Sequence, residues 1–324
     1  MVQIQERDRK LIELILKFKM VPFRVVKEIY NTGKRSAYHR LEKLKDDEIV
    51  RKINKEYVTL GEEGMKYVED EYGVRFSPLP NPRRPITVSR WKNVFEIGYR
   101  PWIRNNFITC WDIKTEKGIS DKNKVLGVAN DYGIFKIPRN MSKKAMTEII
   151  TDMNELCDYG VEKFIVLCDG AERLQEFTDV ASHKTTTKAR AIHIIPYTSS
   201  GLQIMDVIIS IPDWKQKIAR VVYGEVRPSS YKGIFDFEAG GRQVYVGIDG
   251  EILSKNSVKS NVMSGIRGGV EVLCLAKQEW RFADIPGAEI RAIAFKDFLN
   301  AVDYKQFAMP SSIDDEKLKG AEEE

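Results

Sequence analysis

Histidine and cysteine are scarce in this chain: its 324 residues include three histidines and four cysteines. The cysteines stand far apart, and no CxxC, HExxH or paired-histidine spacing occurs, so we expect no structural zinc site. GxxxxGK[ST] and GxSxG are also absent, which removes the usual sequence support for nucleotide-driven motors and common hydrolases. We therefore expect the cysteines to be buried thiols, kept reduced by a reducing compartment, and we expect no metal and no cofactor.

Long apolar runs are missing too. No stretch approaches the roughly 18 consecutive apolar residues of a membrane helix. The opening residues, MVQIQERDRK, lack the apolar region of a secretory signal. We therefore expect a cytoplasmic protein without a membrane partner. A content of 43% hydrophobic and 31% charged residues is typical of packed globular protein, and the length predicts two or three domains.

The net charge of +5 is unevenly distributed. Residues 310–324, PSSIDDEKLKGAEEE, contain six acids and two lysines, a net charge of −4, which leaves +9 for the rest of the chain. An acidic stretch without aromatic residues is typical of a disordered, solubilising tail. The remainder is distinctly basic, which favours an acidic partner.

The first 75 residues show a pattern of helices followed by a hairpin. In residues 7–19 apolar side chains recur at helical spacing, which predicts an amphipathic helix. The elements predicted after it are helices from Pro22 to Tyr30 and from Lys34 to Asp46, strands around Ile49–Ile53 and Tyr57–Leu60, and a helix from Glu62 to about Glu71. On the third helix Ala37, Tyr38, Leu41 and Leu44 should face inward. This order predicts a winged helix-turn-helix domain over residues 1–75.

The third helix is the strongest functional candidate, because a winged helix inserts it into the major groove, where base pairs display distinct donors and acceptors. The candidate DNA-binding residues on this helix are Lys34, Arg35, Ser36, His39, Arg40 and Lys43. Those on the hairpin are Arg51, Lys52 and Lys55. Residues 31–60 hold eight bases against five acids, a modest positive field. The alternative is that these charges are merely solvated and that the domain binds protein.

Residues 76–105 are rich in proline and in basic and aromatic residues. The stretch SPLPNPRRPITVSR has four prolines in fourteen residues, which predicts an interdomain linker. Candidate phosphate contacts along the same duplex are Arg83, Arg84, Arg90 and Lys92. Trp91, Phe95, Tyr99 and Trp102 follow at helical spacing, so an alternative is the opening helix of the next domain.

Residues 106–309 alternate between strand-like and helix-like runs. The predicted strands are Phe107–Ile113, Val125–Ala129, Gly133–Ile137, Lys163–Cys168 and Ala191–Pro196, with helices over Ser142–Tyr159 and Ala171–Ala181. Buried runs such as FIVLC need cover on both faces, which predicts an α/β domain with a mixed sheet. A β-rich extension is predicted beyond residue 210, at Ala219–Val226, Val244–Ile248, Val270–Leu275 and Glu289–Phe295. Whether it is a third domain stays open, and no internal repeat is visible.

A metal-dependent nuclease of the PD-(D/E)xK type is the enzymatic alternative. Asp112-Ile113-Lys114 has the local form of such a motif, and Asp131 precedes a predicted hairpin strand. The motif falls on the first predicted strand, however, and Phe135-Lys136-Ile137 has no acid beside its lysine. We therefore expect a nuclease-like sheet without catalytic residues.

The order of parts resembles the plasmid replication-relaxation family over about residues 7–200. The resemblance depends on the winged-helix pattern with its TLGEEG run at Thr59–Gly64, the linker, and an α/β domain similar to restriction-endonuclease cores. It implies binding at an origin or transfer site of a plasmid or other mobile element. The clustered histidines with a tyrosine that relaxases use are missing, so we do not expect nicking by that chemistry.

Together these patterns predict an α/β protein (α+β overall) that binds double-stranded DNA sequence-specifically without catalysis. The expected role is a replication initiator, or a replication or mobilisation accessory factor. Further candidate partners are replication or conjugation proteins and a second copy of the chain. Two alternatives stay open: the nuclease using Asp112, Lys114 and Asp131, and a winged-helix transcription regulator with a ligand-sensing domain.

Overall fold

The chain divides into two compact units between Arg100 and Pro101. The computed structural model describes residues 2–30, 34–78, 84–183, 187–266 and 269–304. Helices and strands alternate through both units, so the mixed α/β class is confirmed. The acidic stretch 310–324 and Arg83 lie outside the described residues. No helix in the described part of the chain is long and apolar enough to cross a membrane.

The first unit combines helices with a small antiparallel sheet. Its elements are α1 (Glu6–Phe18), β1 (Val21–Pro22), α2 (Phe23–Tyr30), α3 (Lys34–Asp46), β2 (Val50–Ile53), β3 (Tyr57–Leu60), α4 (Glu62–Tyr72) and α5 (Pro85–Gly98). The sheet order is β1-β3-β2. The elements predicted up to α4 are confirmed within one or two residues. The second helix starts at Phe23, because Val21 and Pro22 pair with Val58 and Tyr57 of β3.

The core of this unit follows the predicted apolar faces. Leu11, Ile15 and Phe18 of α1 are buried, and so are Ala37, Leu41 and Leu44 of α3. Tyr38 is the exception: its residue is 47% exposed, so its predicted inward position is wrong. On a helix Tyr38 lies about 100° from Ala37, which is enough to move it out of the buried stripe.

The interval predicted as a linker contains α5, and this helix belongs to the first unit. Pro85 occupies its first turn, where a missing N–H is no loss. The Phe95 ring lies 5.0 Å from that of Phe18, and Val88 and Trp91 pack on the apolar cluster of Met20, Ile53 and Tyr57. Residues 85–98 are therefore not a linker as predicted: they form a helix of the first unit, and its aromatic side chains bury apolar surface.

The second unit begins with a five-stranded mixed sheet. Its elements are β4 (Phe107–Thr109), α6 (Cys110–Lys117), β5 (Gly127–Ala129), β6 (Tyr132–Ile137), α7 (Lys143–Cys157), β7 (Lys163–Cys168), α8 (Ala171–His183) and β8 (Ala191–Pro196). The strands lie in chain order, antiparallel from β4 to β6 and parallel from β6 to β8. The first predicted strand is too long, because the chain turns into α6 at Cys110. Ser142 caps α7, with its hydroxyl accepting a hydrogen bond from the Ala145 amide.

A second five-stranded sheet follows in the same unit. Its elements are α9 (Ser199–Ser210), α10 (Trp214–Tyr223), β9 (Arg227–Pro228), β10 (Phe237–Ala239), β11 (Arg242–Val246), α11 (Ile252–Met263), β12 (Val270–Leu275), a 3₁₀ helix (Ala276–Phe282), β13 (Ala288–Ile293) and α12 (Phe295–Ala301). The β-rich expectation is therefore only partly right. The predicted strand at Ala219–Val226 is wrong, because Trp214, Ile218 and Ala219 form the buried face of α10.

The two sheets of the second unit share one topology. In the second sheet the strands again lie in chain order, antiparallel from β9 to β11 and parallel from β11 to β13. The equivalent hairpins match in detail: the amides of Leu126 and Asp236 donate to the carbonyls of Ile134 and Val244. The chain thus contains a structural repeat that was not visible in its sequence.

The sheets meet through β8 and the segment that follows β11. The Ile194 amide donates to the Gly250 carbonyl at 3.1 Å. Next to this junction, Lys215 Nζ lies 3.2 Å from a carboxylate oxygen of both Asp236 and Asp249. Burial lowers the pKa of Lys215, but the two carboxylates outweigh burial and raise it above the usual value. The buried ammonium of Lys215 is therefore stabilised inside the junction by both carboxylates.

Candidate nucleic-acid interface

The outward face of α3 carries a line of polar side chains. Arg35, Ser36, His39 and Lys43 are exposed, while the opposite face is buried. Arg35, His39 and Lys43 are each four residues apart, so they lie on one side of the helix. Within the described part of the chain, neither Arg35 nor Lys43 pairs with an acid. The side chain of Lys34, at the start of α3, is not described.

Arg40 does not belong to this face, and its predicted role in binding DNA requires correction. Its guanidinium binds the carboxylate of Asp8 on α1, which is fully buried, and also donates to the Gln3 carbonyl at 2.7 Å. Tyr30 donates its hydroxyl to the same carboxylate at 2.6 Å. Burial raises the pKa of Asp8, but the hydrogen bonds from Arg40, Tyr30 and Gln5 outweigh burial and lower it. Arg40 therefore anchors α3 to α1.

The hairpin adds two exposed cations next to α3. Arg51 on β2 and Lys55 in the turn are both exposed. Asn54 and Lys55 have φ of 50° and 61°, and this left-handed pair forms the centre of a turn in which the Glu56 amide donates to the Ile53 carbonyl at 3.2 Å. The turn therefore holds the Lys55 backbone at the tip of the hairpin.

Lys52 is engaged within the unit. Its ammonium pairs with Glu42 of α3 and lies 4.8 Å from the centre of the Tyr38 ring. Hydrogen bonds from Lys52 and Lys45 lower the pKa of Glu42 to about 2. Lys52 thus ties the hairpin to α3, and it is less available to DNA than the sequence predicted.

The remaining predicted cations lie on α5. Arg84 is exposed at the N-cap position, Arg90 is half-buried and already has an interaction partner, and Lys92 lies 3.6 Å from Glu96. Only Arg84 is therefore an exposed cation with no partner within the described residues. The contribution of this segment to the charged surface is smaller than its composition predicts.

The residues of the nuclease alternative are not brought together. Asp112 and Lys114 lie on α6 rather than on a strand. Lys114 is buried and donates to the carbonyls of Asp121 and Asn123 at 2.8 and 2.7 Å, whereas Asp131 pairs with Lys163. No three His, Cys, Asp or Glu side chains converge as metal ligands in the ranges that the structure describes. The geometry thus does not support a site built from these three residues.

Sequence reasoning missed two residues that shape the candidate interface. Asp8 appeared only as an acid in the first turn of a helix, a common place for one, and nothing local pointed to Arg40, 32 residues away. Tyr38 could have been found from its 100° offset on the helical wheel. Its exposed ring, 6.3 Å from that of Phe23, adds an aromatic surface beside His39.

Comparison with known proteins identifies no relative: no family model, curated protein or solved structure matches the chain.

Proposed function

We propose that the protein binds double-stranded DNA sequence-specifically, with α3 in the major groove and the β2–β3 hairpin as a wing. The line of Arg35, His39 and Lys43 on α3 carries this proposal. From the first to the last of these residues the helix rises about 12 Å, comparable with the major-groove width of about 12 Å. The three side chains therefore suit contacts to several neighbouring base pairs and to the phosphates beside them.

The contacts divide by position. Arg35 lies in the first turn of α3, the part of a recognition helix that commonly reaches base edges, and arginine donates two parallel hydrogen bonds to guanine. Arg51 and Lys55 on the hairpin supply phosphate contacts, which add affinity and fix the register without reading sequence. Arg40 and Lys52 act indirectly by holding α3 and the hairpin in place.

The biological role we propose is that of a replication initiator or accessory factor of a plasmid or other mobile element. The resemblance to the replication-relaxation family supports it, as does the strand order of the two mixed sheets, which is compatible with restriction-endonuclease-like cores. The second unit then assembles protomers or recruits replication or conjugation proteins. Footprints clustered at an origin would support this role, and footprints confined to promoters would favour the transcription regulator.

DNA binding is testable with a duplex selected from a random pool. We expect the double substitution Arg35→Ala and Lys43→Ala to weaken binding roughly 10- to 100-fold, since a base contact contributes about 1–3 kcal/mol. The control is Lys10→Ala with Lys66→Ala, which removes two lysines that are 60% and 68% exposed on α1 and α4. Fluorescence anisotropy at a fixed salt concentration measures the duplex affinity of both double variants. Equal affinities for the two double variants would refute the assignment of α3.

A further inference from the structure

A small cavity opens in the second unit beside the start of α11. It measures about 30 Å³, and its wall includes Gly250, Lys255, Trp280 and Arg281. A buried water needs about 10–15 Å³ by the same measure, so the cavity has room for two or three waters, or for one group of similar size such as a phosphoryl group. It lies in the second unit, which carries none of the α3 and hairpin residues.

Arg281 is the unusual side chain in this wall. Burial lowers the pKa of its guanidinium. No carboxylate of the described residues lies within ion-pair distance of it, and its Nη2 donates to the Ile194 carbonyl at 3.1 Å. A guanidinium has five N–H donors, so most of its donors are left for a ligand.

Gly250 explains how the guanidinium fits here. A side chain at this position would place its Cβ only 2.7 Å from both terminal nitrogens of Arg281, and the glycine adopts a φ of +61°. Both terminal nitrogens of the guanidinium therefore lie close to a residue that itself lines the cavity. Planar arginine donors at such a wall match the geometry of phosphate oxygens.

The acids around the cavity are already engaged. Glu251 caps α11 and accepts from the amides of Ile192, Leu253 and Ser254. Lys255 pairs with Asp284, at 2.9 Å. Asp249 is held by Lys215. Glu251 has no cationic partner among the described residues, but its carboxylate is satisfied by these backbone amides, so Arg281 is the cation of the wall that is left to meet an anion.

Trp280 adds an aromatic surface beside the cavity. It is 51% exposed, and its indole N–H donates to the Lys277 carbonyl at 3.1 Å, which fixes the orientation of the ring. Exposed, oriented aromatic rings next to cations are the usual platform on which nucleobases stack.

We propose that this cavity binds the terminal phosphate of a nucleotide, with Arg281 on the phosphate and Trp280 stacked on the base. An internal phosphodiester does not suit it, because a chamber of this size accepts one phosphoryl group but not the strand continuing on both sides. Two ligands share this chemistry: a free nucleotide and the phosphorylated end of a DNA single strand. The site does not depend on duplex binding by α3.

Calorimetric titration of the full chain tests the proposal with dAMP, deoxyadenosine, inorganic phosphate, and a short single strand with and without a 5′ phosphate. We expect dAMP to bind at least tenfold more tightly than deoxyadenosine. A preference for the phosphorylated strand over dAMP identifies the strand end as the natural ligand, and the reverse order identifies the free nucleotide. Absence of binding by all phosphate-bearing probes at millimolar concentration would overturn the proposal.

Variants separate the two contacts. Arg281→Gln and Arg281→Lys should weaken the binding of dAMP, inorganic phosphate and the phosphorylated strand at least tenfold. The affinity of α3 for the selected duplex should not change. Trp280→Ala should weaken dAMP binding by about 5- to 100-fold, as expected for a lost stacking contact. It should leave the affinity for inorganic phosphate within about twofold of wild type.

The matched control is Tyr159→Ala, which removes another exposed aromatic ring, 42% exposed, from the turn that follows α7. If the Arg281 variants do not fold, Trp280→Ala decides alone, because its side chain is largely in solvent. Equal dAMP affinity in Trp280→Ala and Tyr159→Ala would overturn the stacking site. If the unsubstituted protein binds dAMP but does not bind the selected duplex, that result would instead count against the function proposed for α3.

Discussion

At the scale of single residues, similar charges have different roles according to where the fold places them. Arg35 and Arg40 lie five positions apart on α3, and both are basic residues in a helix that is polar on one side. Arg40 contacts the buried Asp8 and has a side chain only 15% exposed, whereas Arg35 lies in solvent. A residue-type argument treats the two alike, but only Arg35 is positioned to meet a ligand.

The Asp8–Arg40 pair predicts a large stability difference between two acids of the same helix. Asp8→Asn leaves the mostly buried Arg40 without its counterion, and we expect a loss of about 3 kcal/mol in the free energy of unfolding. The control Glu6→Gln removes an 82% exposed partner of Lys10, and the loss should be much smaller because solvent screens this ion pair. Urea denaturation at pH 7 measures both, and similar losses would contradict the anchoring role of Arg40.

The same pair predicts how this difference depends on pH. The pKa of Asp8 is lowered in the folded protein from its ordinary value of 3.8. The stabilisation is therefore present above pH 3.8 and is lost as the pH falls through the folded pKa. The difference in the free energy of unfolding between wild type and Asp8→Asn should therefore become smaller in acid.

At the scale of elements, the TLGEEG run brings the backbone at the start of α4 into close contact with the backbone just before β2. The amides of Gly61 and Gly64 donate to the carbonyls of Ile49 and Glu48 at 3.0 and 3.2 Å. A Cβ at Gly64 would lie 2.0 Å from the Ile49 carbonyl oxygen, and one at Gly61 would lie 2.1 Å from that of Glu48. The start of α4 can therefore approach the residues before β2 only if both positions lack a side chain.

Gly64→Ala should accordingly destabilise the first unit by at least about 2 kcal/mol, because backbone must move to admit the methyl group. Gly73→Ala is the comparison: a Cβ there meets nothing within 4 Å, and its φ of +64° costs about 1 kcal/mol. Thermal unfolding of the two variants measures the difference. A larger loss in Gly73→Ala would show that the close approach to Ile49 is not needed.

At the scale of the whole molecule, α5 decides where the first unit ends. A boundary at residue 75 would leave Phe18, Met20 and Tyr57 without the helix that covers them. Because a small unit depends on a large share of its apolar surface being buried, this cover matters for its stability.

Two fragments test this boundary. Residues 1–100 should unfold cooperatively on their own, whereas residues 1–78 should have a much lower melting temperature and bind a hydrophobic dye. Circular dichroism and dye fluorescence at matched concentration provide the comparison. Equal melting temperatures would mean that α5 is not part of the folded unit.

The elements with a local signal could be predicted from the sequence. Helical apolar spacing identified α1 and α3, and continuous apolar runs identified β7, β8 and β12. Helices without a one-sided apolar stripe were missed: α11 has only Ile252 and Val258 as its buried residues, whereas α9 is buried over most of its length. The candidate interface was predicted in part, since Arg35, His39 and Lys43 face outward while Arg40 does not.

The sequence by itself determined the mixed α/β character, the order of the first four helices and the polar face of α3, because each depends on the spacing of side chains within one segment. Only the tertiary structure decided the partner of Arg40, the place of α5, the shared topology of the two sheets and the cavity beside Arg281. These features join residues that are tens of positions apart. Their energies come from burial and hydrogen bonds across the core, which no local pattern records.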